Sequence, residues 1–131
     1  MEKVLKFLKD SQTYYLATAD ENGQPHVRPF GSAAIFEGKL YFCTNNCKPV
    51  YQQIKKNPKI EISAMVGNKW IRICAEAYED DRVEARIAMM ETHPELRNMY
   101  KVDDGKMVVM ALANTTAQIC SFTDAPETIT F

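Results

Sequence analysis

Hydrophobic and polar residues alternate most regularly in the middle of the chain. In Ile60–Met65 and again in Trp70–Tyr78, apolar and polar residues follow one another with a period of two. This period is typical of a β-strand that buries one face. In the second segment, the residues predicted to share the buried face are Ile71, Ile73, Ala75 and Ala77.

Five further segments rich in aromatic, β-branched or apolar residues are predicted to be strands. They are Thr13–Thr18, His26–Phe36, Leu40–Thr44, Met107–Ala113 and Ala117–Phe122. Turn signals separate them. Asn22-Gly23 is the strongest hairpin signal, and a turn is predicted at 114–116, between the last two strands. The tail from residue 123 to 131 is predicted to be irregular.

Short helices are predicted at four places. Residues 1–10 place their apolar side chains on one helical face, and Pro49–Lys56 is stopped by Asn57-Pro58. A third helix should follow Asp80-Asp81, of which either residue can be the N-cap, and Glu95–Tyr100 forms a shorter helical piece. The side chains predicted on one side of the third helix are Val83, Ile87 and Met90.

These elements predict a mainly β protein. About seven strands joined by short hairpins, with two to four short helices at the edges, indicate antiparallel pairing. A small barrel removes the exposed edges of such a meander. A length of 131 residues indicates one domain, 1–131, with a substantial core.

Composition and charge narrow the range of partners. The net charge is −1 with interspersed signs, and no basic block suggests a nucleic-acid surface. No apolar run reaches the roughly 20 residues of a membrane span, and residues 1–6 lack the apolar stretch of a secretory signal. We therefore expect a cytoplasmic protein that binds neither nucleic acid nor membranes.

The four cysteines form no Cys-x-x-Cys pair, and no histidine lies at metal-site spacing from them. We expect no metal site and no disulfide framework, but reduced thiols. Cys43 and Cys47 lie close to the predicted start of a helix, where the pKa of a thiol can fall. A redox role for either therefore stays open. No serine or histidine lies in a pattern that suggests hydrolytic catalysis.

The loop after the strand Leu40–Thr44 has two interpretations. Thr44, Asn45, Asn46 and Lys48 gather where a strand gives way to a helix, and a helix N-terminus attracts anions. The alternative is structural, because asparagine is also a favoured N-cap residue. Spacing alone does not decide between an anion site and a capped helix.

Arg28 adds a second cation to this picture. If Val27 faces the core, Arg28 shares the other face of its strand with His26 and Phe30. If that strand forms a hairpin with Leu40–Thr44, Arg28 reaches the loop that carries Lys48 and both can bind one anion. The alternative is a solvated arginine on a sheet face.

Four segments in order resemble the pyridoxamine 5′-phosphate oxidase-like proteins, the FMN-binding split-barrel superfamily. The segments are Tyr15–Thr18 with Asn22–Pro25, His26–Phe30, Leu40–Thr44 with Lys48 and Asn57-Pro58, and Trp70–Ile73 leading to Glu76-Ala77. The order of the four segments along the chain carries the resemblance. It covers residues 5–80.

The resemblance implies a split-barrel homodimer with two FMN sites at the subunit interface. The strand at Val27–Phe30, which includes Pro29, would run beside the flavin ring. Arg28, Thr44 and Lys48 would hold the phosphate, with contacts from Cys43 and Asn45. Trp70 would approach the flavin from the other subunit; its alternative is simple packing.

The resemblance has two departures. Ala75 stands where many relatives have glycine. The Arg- and Trp-rich C-terminal segment that binds the substrate phosphate in true pyridoxamine phosphate oxidases is not seen, so the vitamin is not the expected substrate. The pattern is closer to small members that resemble nitroimidazole-resistance reductases.

Three functions remain open from the sequence. The first is an FMN-dependent oxidoreductase for an unknown small molecule, with NADH or NADPH as electron donor. The second is a non-catalytic carrier or sensor of FMN or haem. The third is an interaction module without a cofactor.

Overall fold

The computed structural model describes residues 1–131 and contains eight strands, three α-helices and one 3₁₀ helix. The strands are β1 (Tyr14–Ala19), β2 (Pro25–Phe30), β3 (Ala34–Phe36), β4 (Lys39–Asn45), β5 (Lys59–Val66), β6 (Lys69–Asp80), β7 (Met107–Cys120) and β8 (Glu127–Thr130). The helices are α1 (Glu2–Ser11), α2 (Pro49–Lys56), α3 (Val83–Thr92) and the 3₁₀ helix Pro94–Asn98. No helix is long and apolar enough to span a bilayer.

All strands belong to one antiparallel sheet in the order β2-β1-β5-β6-β7-β4-β3, with β8 paired to β7. The two edge strands, β2 and β3, are consecutive in the chain and are separated only by residues 31–33. The sheet thus curls until its ends come together without pairing. This is the predicted mainly β split barrel with peripheral helices, with eight strands instead of about seven.

Two apolar clusters lie on opposite faces of the sheet. The larger contains the inward residues of β5 and β6, together with α1 and α2. All four residues predicted to face the core from β6 lie in it, at 7% exposure or less. The smaller cluster packs Ala85, Met89 and Met90 of α3 against β4 and β7. Of the three side chains predicted on one side of α3, only Met90 belongs to this cluster, and Val83 and Ile87 are about 40% exposed.

One predicted strand is two strands in the structure. The segment predicted as one strand, His26–Phe36, is divided into β2 and β3, and the hairpin partner of β4 is β3. Arg28 therefore lies on a strand that pairs with β1 and not with β4. Pro29 and Gly31 indicate an interruption here, but the two residues are equally compatible with a bend within one strand.

The end of the chain also differs from the prediction. The turn predicted at 114–116 does not exist, because β7 is one continuous strand of 14 residues. Asn114 has a φ of 49°, and the register with β6 shifts nearby, between Cys74 and Glu76. The strand absorbs the turn-forming residue as a local irregularity. The tail predicted to be irregular forms β8 along the edge of β7.

The start of α3 is not capped by an aspartate side chain. Its N-cap residue is Arg82, and no side chain caps the helix. Asp80 instead accepts hydrogen bonds from the Arg82 guanidinium, at 2.8 and 3.0 Å, and from the Tyr41 hydroxyl at 2.7 Å. These hydrogen bonds, led by those of Arg82, hold the pKa of Asp80 well below its usual value. The carboxylate fixes the end of β6 to β4.

The β3–β4 turn allows a stability test. Gly38 has a φ of 75°, which a Cβ disfavours. Gly38→Ala is expected to lower the free energy of unfolding by about 1–2 kcal/mol. Gly31→Ala is the control, because Gly31 has no positive φ and its added Cβ would lie 3.6 Å from the Gln12 carbonyl oxygen. Denaturant unfolding of both variants measures the difference, and equal losses would contradict the backbone argument.

Candidate functional site

The loop between β4 and α2 is stabilised by its asparagines. The side-chain oxygen of Asn45 accepts the N–H of Cys47 at 3.0 Å, and its amide nitrogen donates to the Tyr100 hydroxyl at 2.8 Å. Asn46 donates to the Gly105 carbonyl at 2.8 Å. Neither caps α2. Its N-cap residue is Lys48, followed by Pro49 in the first turn. The capping interpretation of the asparagines was therefore wrong.

The positive end of the α2 helix dipole is not neutralised by any side chain. No side chain caps it, and its first turn contains no acidic residue. Lys48 is exposed and forms no ion pair. Because a helix N-terminus carries a partial positive charge, the lysine and the helix together attract an anion.

Thr44 is buried at the end of β4 next to this loop. Its exposure is 2%, and its hydroxyl is one of two buried side-chain polar groups without a hydrogen-bond partner. A buried polar group without a partner costs about 1–3 kcal/mol. A ligand at the end of β4 that offers a donor or acceptor would remove this cost.

Arg28 is a half-buried cation without a carboxylate. Its guanidinium donates to Thr18 Oγ1 at 2.8 Å and to Gln53 Oε1 at 2.9 Å, and to the carbonyls of Leu16 and His26. All four acceptors are neutral. Desolvation lowers the pKa of Arg28, but an arginine stays protonated. An uncompensated buried charge favours an anionic ligand.

We predicted that Arg28 shares one face of its strand with His26 and Phe30, on the condition that Val27 faces the core. The shared face is confirmed, but the condition is not met. His26, Arg28 and Phe30 do share one face and are all half-buried. Val27, however, is 68% exposed and does not face the core. The inner face of β2 is thus polar at its start and apolar at Phe30, which packs edge-on against Phe42 with ring centroids 5.4 Å apart.

Four predicted site residues line one cleft of about 290 Å³. Pro29, Phe30, Cys43 and Lys48 contribute to it, and Asn45 lies at its margin through the bond to Tyr100. Arg28 and Thr44 do not line this cleft. Arg28 meets α2 at Gln53, five residues after Lys48, or ~7.5 Å along the helix axis.

The opposite wall of the cleft was missed by sequence reasoning. It consists of the 3₁₀ helix and the residues after it: Glu95, Leu96, Met99 and Tyr100. His93 attaches this wall to the β2–β3 connection, because its Nε2 lies 2.8 Å from the Ala33 carbonyl and its Nδ1 lies 3.0 Å from Glu95. The contact spans 60 residues, so no local pattern signals it.

Val27 and Trp70 lie elsewhere, on the outer face of the sheet. They line one groove of about 300 Å³. Trp70 packs against Phe122 with ring centroids 5.0 Å apart. Tyr15, Met65 and Phe122 are each more than half exposed on the same side of the molecule. The outer face therefore presents separate apolar side chains around the Glu61–Arg72 ion pair.

We expect the Cys43 thiol to be unreactive because it is buried. Burial raises its pKa to about 12, although nearby Lys48 acts in the opposite direction. Only the thiolate is a good nucleophile, so the geometry argues against the redox role that was left open for Cys43. Cys47 is exposed and its thiol contacts the Asn46 side chain. No group of three or more histidine, cysteine or acidic residues is arranged to hold a metal ion.

This difference between the two thiols can be measured. We expect a thiol reagent at neutral pH to modify Cys47 at once and Cys43 only after unfolding, because Cys43 is 8% exposed and protonated. Cys47→Ser should remove one equivalent from the fast phase, and Cys43→Ser should leave that phase unchanged. A smaller fast phase in Cys43→Ser would contradict the assignment.

The chain has clear relatives. The family described as pyridoxamine 5′-phosphate oxidase matches residues 1–119. A NimC/NimA family protein from Clostridium acetobutylicum is 44% identical, with a TM-score of 0.96 over 100% of this chain and 92% of that one.

The chain belongs to the pyridoxamine 5′-phosphate oxidase family.

More distant members of the fold have other descriptions. A general stress protein 26-related protein from C. acetobutylicum, described as belonging to the pyridoxinephosphate oxidase family, is 17% identical, with a TM-score of 0.73 over 99% of this chain and 92% of that one. A haem-binding protein from Mycobacterium smegmatis is 13% identical, with a TM-score of 0.75 over 95% of this chain and 55% of that one. These likenesses concern the fold alone. Among functionally curated proteins, none matches the chain.

Proposed function

We propose that this family member binds FMN as a cofactor and acts as an oxidoreductase on a small organic molecule. The observation that carries the proposal is the pair of cations beside α2. Arg28 is half-buried against neutral oxygens, and Lys48 stands unpaired at the N-terminus of the same helix. A phosphate group offers the negative charge that both lack.

The residues present fit the phosphate end of FMN. Lys48 offers a positive charge, and the uncapped N-terminus of α2 adds its partial positive charge. Thr44 offers a buried hydroxyl without a partner, and Arg28 would complete the site from β2. Bound flavin would supply the redox chemistry, while the chain binds, orients and shields it. This agrees with the absence of an acid–base constellation in the sequence.

The flavin ring would lie along β2, beside Val27, Pro29 and Phe30. Pro29 and Phe30 line the cleft that contains Lys48, and Val27 faces outward. We propose that a second copy of the chain covers the outer face and that Trp70 of one subunit approaches the flavin of the other. The exposed apolar side chains of that face support a homodimer.

The substrate class is guided by the NimC/NimA relative, at 44% identity. We propose a small molecule with a reducible group, of which a nitroaromatic compound is a practical probe. Reduced nicotinamide nucleotide is the proposed electron donor.

An absorbance spectrum of the purified protein tests the proposal, together with chromatography of the released chromophore. We expect a yellow protein that releases FMN, is bleached by NADH or NADPH and regains its colour with a nitro compound or oxygen. Flavin that no donor bleaches would favour the carrier function. Released haem, or a colourless protein that fails to take up added FMN, would refute the proposal.

A further inference from the structure

A second cleft lies on the other side of the 3₁₀ helix, between α3 and the segment that follows it. Its volume is about 380 Å³, and it does not overlap the residues proposed to hold the phosphate. The lining residues are Ile87, Met90, Arg97, Tyr100, Lys101 and Val102. We call this cleft the α3 groove. Its floor is apolar, and its two charged lining residues are both cations.

Hydrogen bonds fix the walls of the α3 groove. Arg86 donates from Nε to the Val102 carbonyl at 2.7 Å and from Nη1 to the Asp81 carbonyl at 2.9 Å, so α3 is tied to the far wall. The N–H of Tyr100 donates to the Leu96 carbonyl at 2.8 Å. A groove fixed in this way requires little ordering when a ligand binds.

The charge of the α3 groove is not neutralised within the molecule. Arg97 and Lys101 form no ion pair and no side-chain hydrogen bond. The carboxylate of Asp104 accepts three backbone N–H groups, from Lys101, Lys106 and Met107, at 2.8–3.0 Å. No acidic residue lines the groove. Its rim therefore offers positive charge above an apolar floor.

Exposed apolar surface also indicates that the α3 groove can bind a ligand. Ile87 is 40% exposed although α3 packs its other side into the core through Ala85, Met89 and Met90. Met90 and Tyr100 are at least 90% buried and form the base of the groove. An aromatic or aliphatic body of a ligand would cover Ile87 and remove its apolar area from water.

We infer that the α3 groove binds an organic acid, a molecule with an apolar ring or short chain and one carboxylate. The apolar body would lie on Ile87, Met90 and Val102. The carboxylate would lie between Lys101 and Arg97, whose planar fork suits a carboxylate. Tyr100 lines both this groove and the cleft that contains Lys48. The acid thus lies one aromatic ring away from the proposed flavin site.

Calorimetric titration with 2-naphthoate and its neutral analogue 2-naphthamide tests the inference. We expect the acid to bind at least tenfold more tightly than the amide. In the double variant Arg97→Gln/Lys101→Gln this preference should disappear. The control Lys9→Gln/Lys39→Gln removes two exposed lysines elsewhere and should retain it. The titration requires no flavin, so its result is independent of the proposed function.

A second pair of variants keeps the inference testable if Arg97→Gln/Lys101→Gln does not fold. Ile87→Glu places a carboxylate in the groove, and Val83→Glu places one on the same helix outside it; the two side chains are 40% and 39% exposed. We expect Ile87→Glu alone to weaken naphthoate binding at least tenfold. Equal affinity for acid and amide, an acid preference that survives Arg97→Gln/Lys101→Gln, or no binding below about 1 mM overturns the inference.

Discussion

Replacing both Arg28 and Lys48 by alanine is expected to abolish the retention of FMN. Each would make a charge-assisted contact with the phosphate, and such contacts contribute about 1.5–3 kcal/mol each. Loss of both should raise the dissociation constant by about 10² to 10⁴. Titration of the flavin-free protein with FMN, followed by flavin fluorescence, measures the change.

A matched variant separates this effect from loss of charge or of fold. Lys9→Ala/Lys39→Ala removes two positive charges from exposed sites and should bind FMN like the unmodified protein. Circular dichroism should show native structure in both variants. If Arg28→Ala/Lys48→Ala holds FMN as tightly as the unmodified protein, the phosphate assignment is wrong.

Val27→Glu is expected to convert the proposed homodimer into a monomer. Val27 is 68% exposed on β2 and lies opposite Ala17 of β1 on the outer face of the sheet. A carboxylate forced into an apolar interface without a partner costs several kcal/mol, and symmetry introduces it twice. Size-exclusion chromatography with light scattering should show the smaller species, and bound FMN should be lost with the dimer.

The control for Val27→Glu is Val83→Glu. Val83 is 39% exposed on α3, away from the outer face of the sheet, so its variant should stay dimeric and yellow. A Val27→Glu protein that elutes as a dimer would remove this face from the proposed interface. An unmodified protein that is a strict monomer and still binds FMN would remove the interface site altogether.

The core of the fold could be predicted because the relevant signals are local. The period-two pattern of β6 gave all four buried positions correctly, since one face of a strand either meets a core or meets water. The bounds of α2 were also correct, at Pro49 and Lys56, because proline favours a first turn and Asn57-Pro58 ends the helix.

Errors arose where tertiary contacts override local signals. Asn114 and the threonines after it form a good turn sequence, but pairing with β6 and β8 continues strand β7 through them. For the same reason the tail became β8. Residues 31–33, between β2 and β3, leave the sheet. A tertiary contact holds them there, because the Ser32 hydroxyl accepts the N–H of Cys43 at 3.2 Å.

The candidate site was predicted only as a set of residues. Sequence placed Thr44 at the end of a strand and Lys48 at the start of the helix that follows, where the structure has them. It did not anticipate that Arg28 contacts α2 at Gln53 instead of the loop. The wall formed by Tyr100 and the 3₁₀ helix had no signal, because its contacts to Asn45 and, through His93, to Ala33 cross more than fifty residues.

We expect strand β7 to make the molecule unfold as a single unit, because the strand contributes to both apolar clusters. Val108, Met110 and Leu112 belong to the larger cluster, and Val109 and Ala111 to the smaller. The same stretch pairs with β4 on one side and β6 on the other. Neither cluster can lose its order while the other keeps β7 in place. The amide hydrogens of this strand should therefore be the slowest to exchange with solvent, and they should exchange together in one global opening.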